Sequence, residues 1–189
     1  MITGEVVISY PVLDEPKANL SGVLCYGACL LIDKTDKKTL AEIDKAVKAA
    51  IEKGKSAKWG GHVPKFRYEP VRDGDAEIAS GEKKPGMGYE GRMFVNTSAD
   101  INHQPGCIGS NGVPFDPSKV YAGYIVRAEI RAFPYKNGGN CGIGWGINNV
   151  LAVRDCDPKD RLDGRQEASV AFKDFIKESA DSDPADDMV

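Results

Sequence analysis

The sequence predicts one mainly β domain followed by a disordered acidic tail. The chain has 189 residues, which is enough for one domain of ordinary size. Hydrophobic residues make up 41% of the chain and charged residues 28%, which is the balance of a folded globular protein. Strand-like apolar runs recur along the chain, whereas helical periodicity is confined to two segments. We therefore predict a β-rich body with two helices over residues 1–177 and a tail over residues 178–189.

The composition also limits where the protein acts. No apolar run approaches the roughly 18 residues that would cross a bilayer, and the N-terminus lacks a basic region followed by an apolar stretch. The five cysteines are scattered, so we expect reduced, buried thiols rather than a structural zinc site. These observations predict a cytoplasmic protein without a membrane partner, a metal or a cofactor.

Two strands and the clearest helix are predicted in the N-terminal third. Residues 5–10 favour a strand that the two following prolines break, and residues 20–32 form a second apolar stretch with glycines that indicate bends. The helix is capped by Asp36 or Thr39 and ends at Gly54. Its apolar residues at helical spacing are Leu40, Ile43, Val47, Ala50 and Ile51.

A long loop and one further strand are predicted next. Residues 55–91 are irregular and rich in basic and aromatic residues, as is typical of a functional or mobile loop. A strand follows at residues 91–98. Its two alternating sets are Met93, Val95 and Thr97 on one side and Arg92, Phe94 and Asn96 on the other.

The best-defined hairpin spans residues 121–153 and turns at an Asn-Gly-Gly-Asn sequence. The faces of its first arm are Tyr124, Val126, Ala128, Ile130 and Ala132, against Arg127, Glu129, Arg131 and Phe133. A four-residue loop, 137–140, puts Trp145 on the apolar face and places three glycines on the side of Arg131 and Phe133. A five-residue loop reverses this and exposes a tryptophan and two isoleucines, so we predict the four-residue loop.

The C-terminal end contains a short helix and an acidic segment. The helix is expected to pack on the body through Val170, Ala171 and Phe175, with Ile176 as a further candidate. Residues 178–189 hold five of the 28 acidic residues and no basic one, which leaves 23 acidic against 25 basic residues in the body. We expect a disordered tail of charge −5, which either keeps the protein soluble or binds a partner, and we favour the partner. Its candidate contacts are Asp181, Asp183, Asp186 and Asp187.

The motifs favour nucleic-acid binding over catalysis. Signatures for ATP binding, zinc hydrolysis and acyl transfer are absent, and the GxGxG at residues 142–146 lies in a strand instead of opening a helix. Basic and aromatic residues alternate on a sheet face beside glycines that would let the strand backbone approach a nucleic acid closely, a pattern that suits phosphates and stacked bases. The candidate phosphate contacts are Lys58, Lys65, Arg92, Arg127, Arg131 and Lys136. The candidate stacking residues are Trp59, Phe94, Phe133 and Tyr135.

Three segments carry a resemblance to a known family. Residues 119–135, the Gly-Ile-Gly-Trp-Gly-Ile-Asn-Asn-Val run ending at Val150, and Arg-Leu-Asp-Gly-Arg at 161–165 resemble phage and prophage single-stranded DNA-binding proteins. The resemblance implies an OB-fold-like Greek-key β-barrel with a nucleic-acid groove and an acidic C-terminal tail. It also implies a protein that coats exposed strands during phage DNA replication or recombination, and that recruits replication or recombination proteins through its tail.

We accordingly expect a protein that binds single-stranded DNA without sequence preference and performs no catalysis. Two other classes stay open: a metal-dependent nuclease of phage DNA metabolism and a β-rich structural protein of a phage. Whether the chain forms a homodimer also stays open.

Overall fold

A seven-stranded sheet forms most of the structure, a computed structural model that describes residues 1–19, 21–165 and 168–175. The strands are β1 (Val6–Ala18), β2 (Leu24–Asp33), β3 (Arg72–Asp73), β4 (Arg92–Asp100), β5 (Gly106–Gly109), β6 (Ile125–Asn137) and β7 (Asn140–Arg154). The α-helices within these residues are α1 (Lys37–Ala57), α2 (Gly74–Ala79) and α3 (Ala168–Ala171). Single turns of 3-10 helix lie at Pro117–Lys119 and Pro158–Asp160.

Five of these strands close into a barrel. Strand β1 pairs with β2, β2 with β4, β4 with β7, β7 with β6, and β6 with β1. The β4 and β7 strands run parallel and meet over a short contact, whereas the other four pairs are antiparallel. This closed Greek-key ring is the arrangement of an OB fold, which confirms the predicted fold class. Strands β3 and β5 extend the sheet beside β4 and β7.

Alternate residues of the strands fill the barrel. The buried strand residues of this core include Val6, Ile8, Ala28, Leu30, Ile32, Val95, Val126, Ala128, Ile130, Trp145 and Ile147. Because side chains alternate between the two faces of a strand, the residues between them point outward. The outward positions used below are Phe94, Asn96 and Ser98 on β4, Arg131, Phe133 and Tyr135 on β6, and Gly142, Gly144 and Gly146 on β7.

Helix α1 packs its apolar face into the barrel core. Its N-cap is Asp36, whose side chain accepts a hydrogen bond from the Thr39 backbone N at 3.0 Å. The helix continues past Gly54, where the sequence predicted its end. A Cβ at Gly54 would stand 2.4 Å from the Trp59 ring. The glycine therefore permits close packing of the following loop rather than ending the helix.

Strand β1 runs through Pro11 and Pro16, so the prediction that the prolines break it is wrong. Its pairing with β2 changes register between Ser9 and Val12 and again between Val12 and Lys17. A proline cannot donate a ladder hydrogen bond, and an irregularity in the pairing removes the need for one. The strand therefore continues with two local bends.

A second, smaller apolar cluster covers part of the outer face of the barrel. Helix α2 lies in the stretch expected to be irregular, and Asp73 caps it by accepting hydrogen bonds from the backbone N atoms of Asp75 and Ala76. The buried members of the cluster are Cys29, Leu31, Tyr89 and Phe94. Burial raises the pKa of the Cys29 thiol to about 11, so this cysteine stays protonated at neutral pH.

The β6–β7 hairpin has the predicted register. Its two-residue turn, Gly138-Gly139, has φ values of 54° and 87°, and positive φ at both positions is what a type I′ turn requires. This turn has the same parity as the predicted four-residue loop, so Ile130 lies opposite Ile147 in the barrel interior. Trp145 is buried, as predicted.

The last helix does not pack as predicted. Val170, Ala171 and Phe175 are all exposed, so the expectation that they face the body is wrong. Ile176 lies outside the described residues. The predicted tail over residues 178–189 lies outside the described residues. Its boundary with the domain therefore stays a prediction.

Candidate nucleic-acid interface

Three outward residues of β6 form a row on the open side of the hairpin, and we call them the hairpin row. Its members Arg131, Phe133 and Tyr135 lie opposite Gly146, Gly144 and Gly142 of β7. The Arg131 side chain is exposed and has no ion pair among the described residues, whereas the two rings are half-buried. The row combines a free guanidinium with two aromatic rings, which are the groups that phosphates and bases require.

The two rings of the hairpin row lie over the glycines opposite them. A Cβ on Gly144 would stand 2.7 Å from Phe133 Cζ, and one on Gly142 would stand 2.7 Å from Tyr135 Oη. These glycines therefore make room for rings that rest on the β7 backbone. The expectation that these glycines let the strand backbone approach a nucleic acid is wrong at both positions, because the rings occupy that space. Gly146 differs, because the atom nearest to its Cβ position is 3.8 Å away.

A polar strip continues the hairpin row onto β4. Ser98 lies beside Gly146 across the parallel contact, and Asn96 is the next outward residue of β4. Both side chains are exposed and offer hydrogen-bond donors and acceptors. Sequence reasoning did not select them, because the strand contact that brings them to the row leaves no signal in the sequence.

Two predicted phosphate contacts are engaged elsewhere. Arg127 Nη2 lies 3.8 Å from Glu5 Oε1, and the same carboxylate pairs with Arg154. The Arg154 hydrogen bond, aided by the charges of both arginines, holds the pKa of Glu5 below its usual value. Arg92 donates from Nη1 to Gly88 O at 2.7 Å and lines a separate cleft. Neither arginine belongs to the hairpin row.

Trp59 is a core residue rather than the predicted stacking surface. It is 3% exposed, and its ring packs against Phe66 with 5.4 Å between centroids. Its Nε1 donates a hydrogen bond to Tyr135 O at 3.1 Å, and it shares a buried cluster with Ile143. Trp59 therefore packs the loop after α1 against the face of the hairpin that carries Ile143.

Phe94 is also buried, so the prediction that it stacks on bases is wrong. It is 0% exposed, and the ring of Tyr89 packs edge-on against it at 4.9 Å between centroids. The guanidinium carbon of Arg72 lies 5.0 Å from its ring centroid. Alternation correctly puts Phe94 on the outer face, but the smaller apolar cluster covers that part of the face.

The three predicted lysines surround the distal end of the hairpin. Lys136 is exposed beside the turn and continues the strand that carries the hairpin row. Lys58 and Lys65 are exposed on the loop that Trp59 holds against the interior side. Only Lys136 therefore shares the strand of Phe133, and the other two lysines stand on the far side of the hairpin.

The sequence of this chain matches a known protein family. The family model described as Enterobacter phage Enc34, ssDNA-binding protein, matches residues 1–188. No curated protein matches the chain significantly.

Solved structures show the same fold. The single-stranded DNA-binding protein from bacteriophage Enc34 in complex with ssDNA has a TM-score of 0.66 and 24% identity, over 83% of this chain and 87% of that one. A further structure of the bacteriophage Enc34 protein has a TM-score of 0.65 and 22% identity, over 90% and 88% of the two chains. The single-stranded DNA-binding protein gp2.5 of bacteriophage T7 has a TM-score of 0.62 and 14% identity, over 100% and 97%.

Proposed function

The chain belongs to the Enterobacter phage Enc34 ssDNA-binding protein family, and from this premise we propose that the outer face of its barrel binds single-stranded DNA. The hairpin row is the observation that carries the proposal. Arg131 supplies charge for phosphates, while Phe133 and Tyr135 supply ring faces for bases. Lys136 belongs to the other alternating set of β6 and adds charge beside the exposed turn. Stacking on an aromatic ring contributes about 1–3 kcal/mol per base.

Binding at this surface is expected to be independent of sequence. Every base has a π face, so the Phe133 and Tyr135 rings accept any of them. The fixed charge of Arg131 contacts the phosphate, which is the same at every nucleotide. Such a surface suits a protein that coats exposed strands during phage DNA replication or recombination.

A binding assay with labelled strands tests the proposal. Fluorescence anisotropy with oligothymidine, with a mixed-sequence strand and with a duplex of the same length is the measurement. We expect similar Kd values for the two single strands and weaker binding of the duplex, whose stacked bases cannot reach the rings. A strong preference for one sequence, or tighter binding of the duplex, contradicts the proposal.

We propose that the protein only binds DNA and does not cleave it. Within the described residues, no three His, Cys, Asp or Glu side chains are grouped as a metal site. The competing nuclease hypothesis predicts that labelled single strands are cut in Mg²⁺ or Mn²⁺. We expect intact strands after prolonged incubation with either ion. The structural-protein hypothesis predicts stable assembly and no affinity for DNA, so the anisotropy assay separates it from ours.

The acidic tail is proposed to contact partners. Residues 178–189 carry a charge of −5 and hold the candidate contacts Asp181, Asp183, Asp186 and Asp187. Such a segment attracts basic surfaces, including those of replication or recombination proteins and the DNA-binding face itself. Sedimentation analysis of the purified protein tests whether two chains associate.

The site of action is proposed to be the cytoplasm of a bacterial host cell. The family is named for a phage protein, and phage DNA is copied inside the host. None of the described helices is long and apolar enough to cross a membrane.

A further inference from the structure

A second aromatic and basic surface lies on the outer side of the barrel, apart from the hairpin row. Tyr68 is 56% exposed, and the guanidinium carbon of Arg67 lies 5.2 Å from its ring centroid. Arg67 is itself exposed and has no ion pair among the described residues. An exposed ring beside a free guanidinium has the composition of a stacking and phosphate-binding site.

The Tyr68 ring is held in place through Arg72. The Arg72 guanidinium carbon lies 5.8 Å from the Tyr68 centroid and 5.0 Å from the Phe94 centroid. Two carboxylates fix Arg72: Glu77 pairs with its Nε, and Glu82 Oε2 lies 3.2 Å from its Nη2. Because Phe94 is an outward residue of β4, Tyr68 lies on the outer face of the barrel, beside the strand that also carries Ser98.

A cleft beside Tyr68 contains an unused hydrogen-bond acceptor. The cleft has a volume of about 410 Å³, and its lining combines Tyr68, Arg67 and Arg72 with four carboxylates, those of Glu69, Asp73, Glu77 and Glu82. Glu77 Oε1 is occupied by Arg72, whereas Glu77 Oε2 is buried and accepts no hydrogen bond from the described residues. Buried polar atoms normally have a partner, and either a water molecule or a donor group that enters the cleft can satisfy this oxygen. The exocyclic amines and ring N–H groups of nucleobases are such donors.

The strand β4 connects this cleft with the hairpin row. Arg72 pairs with Phe94 at one end of β4, and Ser98 lies beside Gly146 near the other. Four residues separate the two contacts, which corresponds to roughly 13 Å along a strand. The exposed Asn96 side chain lies between them. A single strand that crosses this face meets Tyr68 at one end and the hairpin row at the other.

We propose that the cleft beside Tyr68 is a second nucleobase-binding site, in which a base stacks on Tyr68 and Arg67 contacts the neighbouring phosphate. This inference rests on the proposed function, because the strand is assumed to lie on the hairpin row. It adds that the bound strand extends along β4 to Tyr68. The protein therefore binds long strands at both sites and short strands at one.

A length series with two variants tests this second site. The variants are Tyr68→Ala and the matched control Tyr68→Phe, which keeps the ring and removes only the hydroxyl. Each is titrated with oligothymidines from about 4 to about 16 nucleotides, the range of site sizes of OB folds. Because Tyr68 is exposed, neither substitution is expected to change the melting temperature.

We expect Tyr68→Ala to weaken binding of the longest strand fivefold or more and to lower the length at which affinity stops increasing. Tyr68→Phe should bind all lengths like the unmodified protein. If Tyr68→Ala binds the longest strand as tightly as the unmodified protein, the second site does not exist.

A parallel titration of Phe133→Ala separates this inference from the proposed function. If Phe133→Ala weakens binding at every length while Tyr68→Ala has no effect, the hairpin row stands and only the second site is wrong. If the unmodified protein binds no strand of any length, both fail. Photo-crosslinking of the 16-nucleotide strand should label the peptide that contains Tyr68, and a label confined to the hairpin peptide contradicts the second site.

Discussion

The ring of Phe133 lies across Gly144 of the neighbouring strand, where a Cβ would stand 2.7 Å from Phe133 Cζ. Residue 144 therefore determines the position of the ring although it carries no side chain. A glycine in a strand normally weakens it, because it packs nothing. Here the ring of the paired residue fills that space.

Substitution of Gly144 should consequently act through Phe133. Gly144→Ala is expected to displace the ring and to weaken single-stranded DNA binding about fivefold, the lower end of the stacking contribution. In a Phe133→Ala background the same substitution should have almost no further effect, because the ring is already gone. Anisotropy titrations of the four proteins form the cycle. Additive losses would mean that Gly144 acts independently of the ring.

Phe133 and Arg131 should give different signatures in salt. Phe133→Ala is expected to weaken binding fivefold or more at every salt concentration, since stacking releases no counterion. Arg131→Ala should instead reduce the slope of log affinity against log salt by about 0.7, the value for one phosphate contact on a single strand. Titrations at four salt concentrations distinguish them. Equal slopes for Arg131→Ala and the unmodified protein would remove Arg131 from the interface.

Phe94 should behave as a core residue. Because its ring is fully buried, Phe94→Ala is expected to cost about 3–5 kcal/mol of folding free energy and to lower the melting temperature strongly. Short strands that the hairpin row alone binds should keep their affinity well below the new melting temperature. Phe133→Ala, as the matched aromatic control, should show the opposite pattern. An unchanged melting temperature in Phe94→Ala would contradict its place in the cluster.

The hairpin could be predicted from the sequence because its signals are local. The Asn-Gly-Gly-Asn turn fixes the parity of the two arms, and burial of Trp145 selects one register. Alternation of side chains along β6 is enough to place Arg131 and Phe133 together on the face opposite Ile130. Closure of the barrel was predicted only through the resemblance to phage proteins, because it depends on the contact between β4 and β7, which are distant in the sequence.

The predictions that failed concern whether a side chain is exposed or covered by another part of the chain. Alternation places Phe94 outward, but only the tertiary structure shows that Tyr89 and helix α2 lie over it. Trp59 follows a helix in a loop-like sequence. Its ring is buried in a cluster with Ile143, and its Nε1 donates a hydrogen bond to Tyr135 O, 76 positions away. The exposed apolar residues after residue 168 show the converse error, since helical periodicity does not reveal whether a partner surface exists.

Removal of the acidic tail should strengthen DNA binding at low salt. A segment of charge −5 tethered to the domain competes with DNA for basic residues at a high effective concentration. Deletion of residues 178–189 is therefore expected to lower the Kd, and the gain should shrink as salt screens the charges. A version in which the acidic residues are replaced by asparagine or glutamine is the control for length. Weaker DNA binding after deletion would place the tail within the site or the fold.

The salt dependence of single-stranded DNA binding tests whether the hairpin row is the DNA-binding surface. If Arg131, Lys136 and Arg67 each contact a phosphate, log affinity should fall with log salt at a slope of about −2. The Arg131→Ala, Phe133→Ala double variant should bind weakly and with a shallower slope. A flat salt response of the unmodified protein, or an unaltered affinity of the double variant, would contradict the assignment of the hairpin row as the DNA-binding surface.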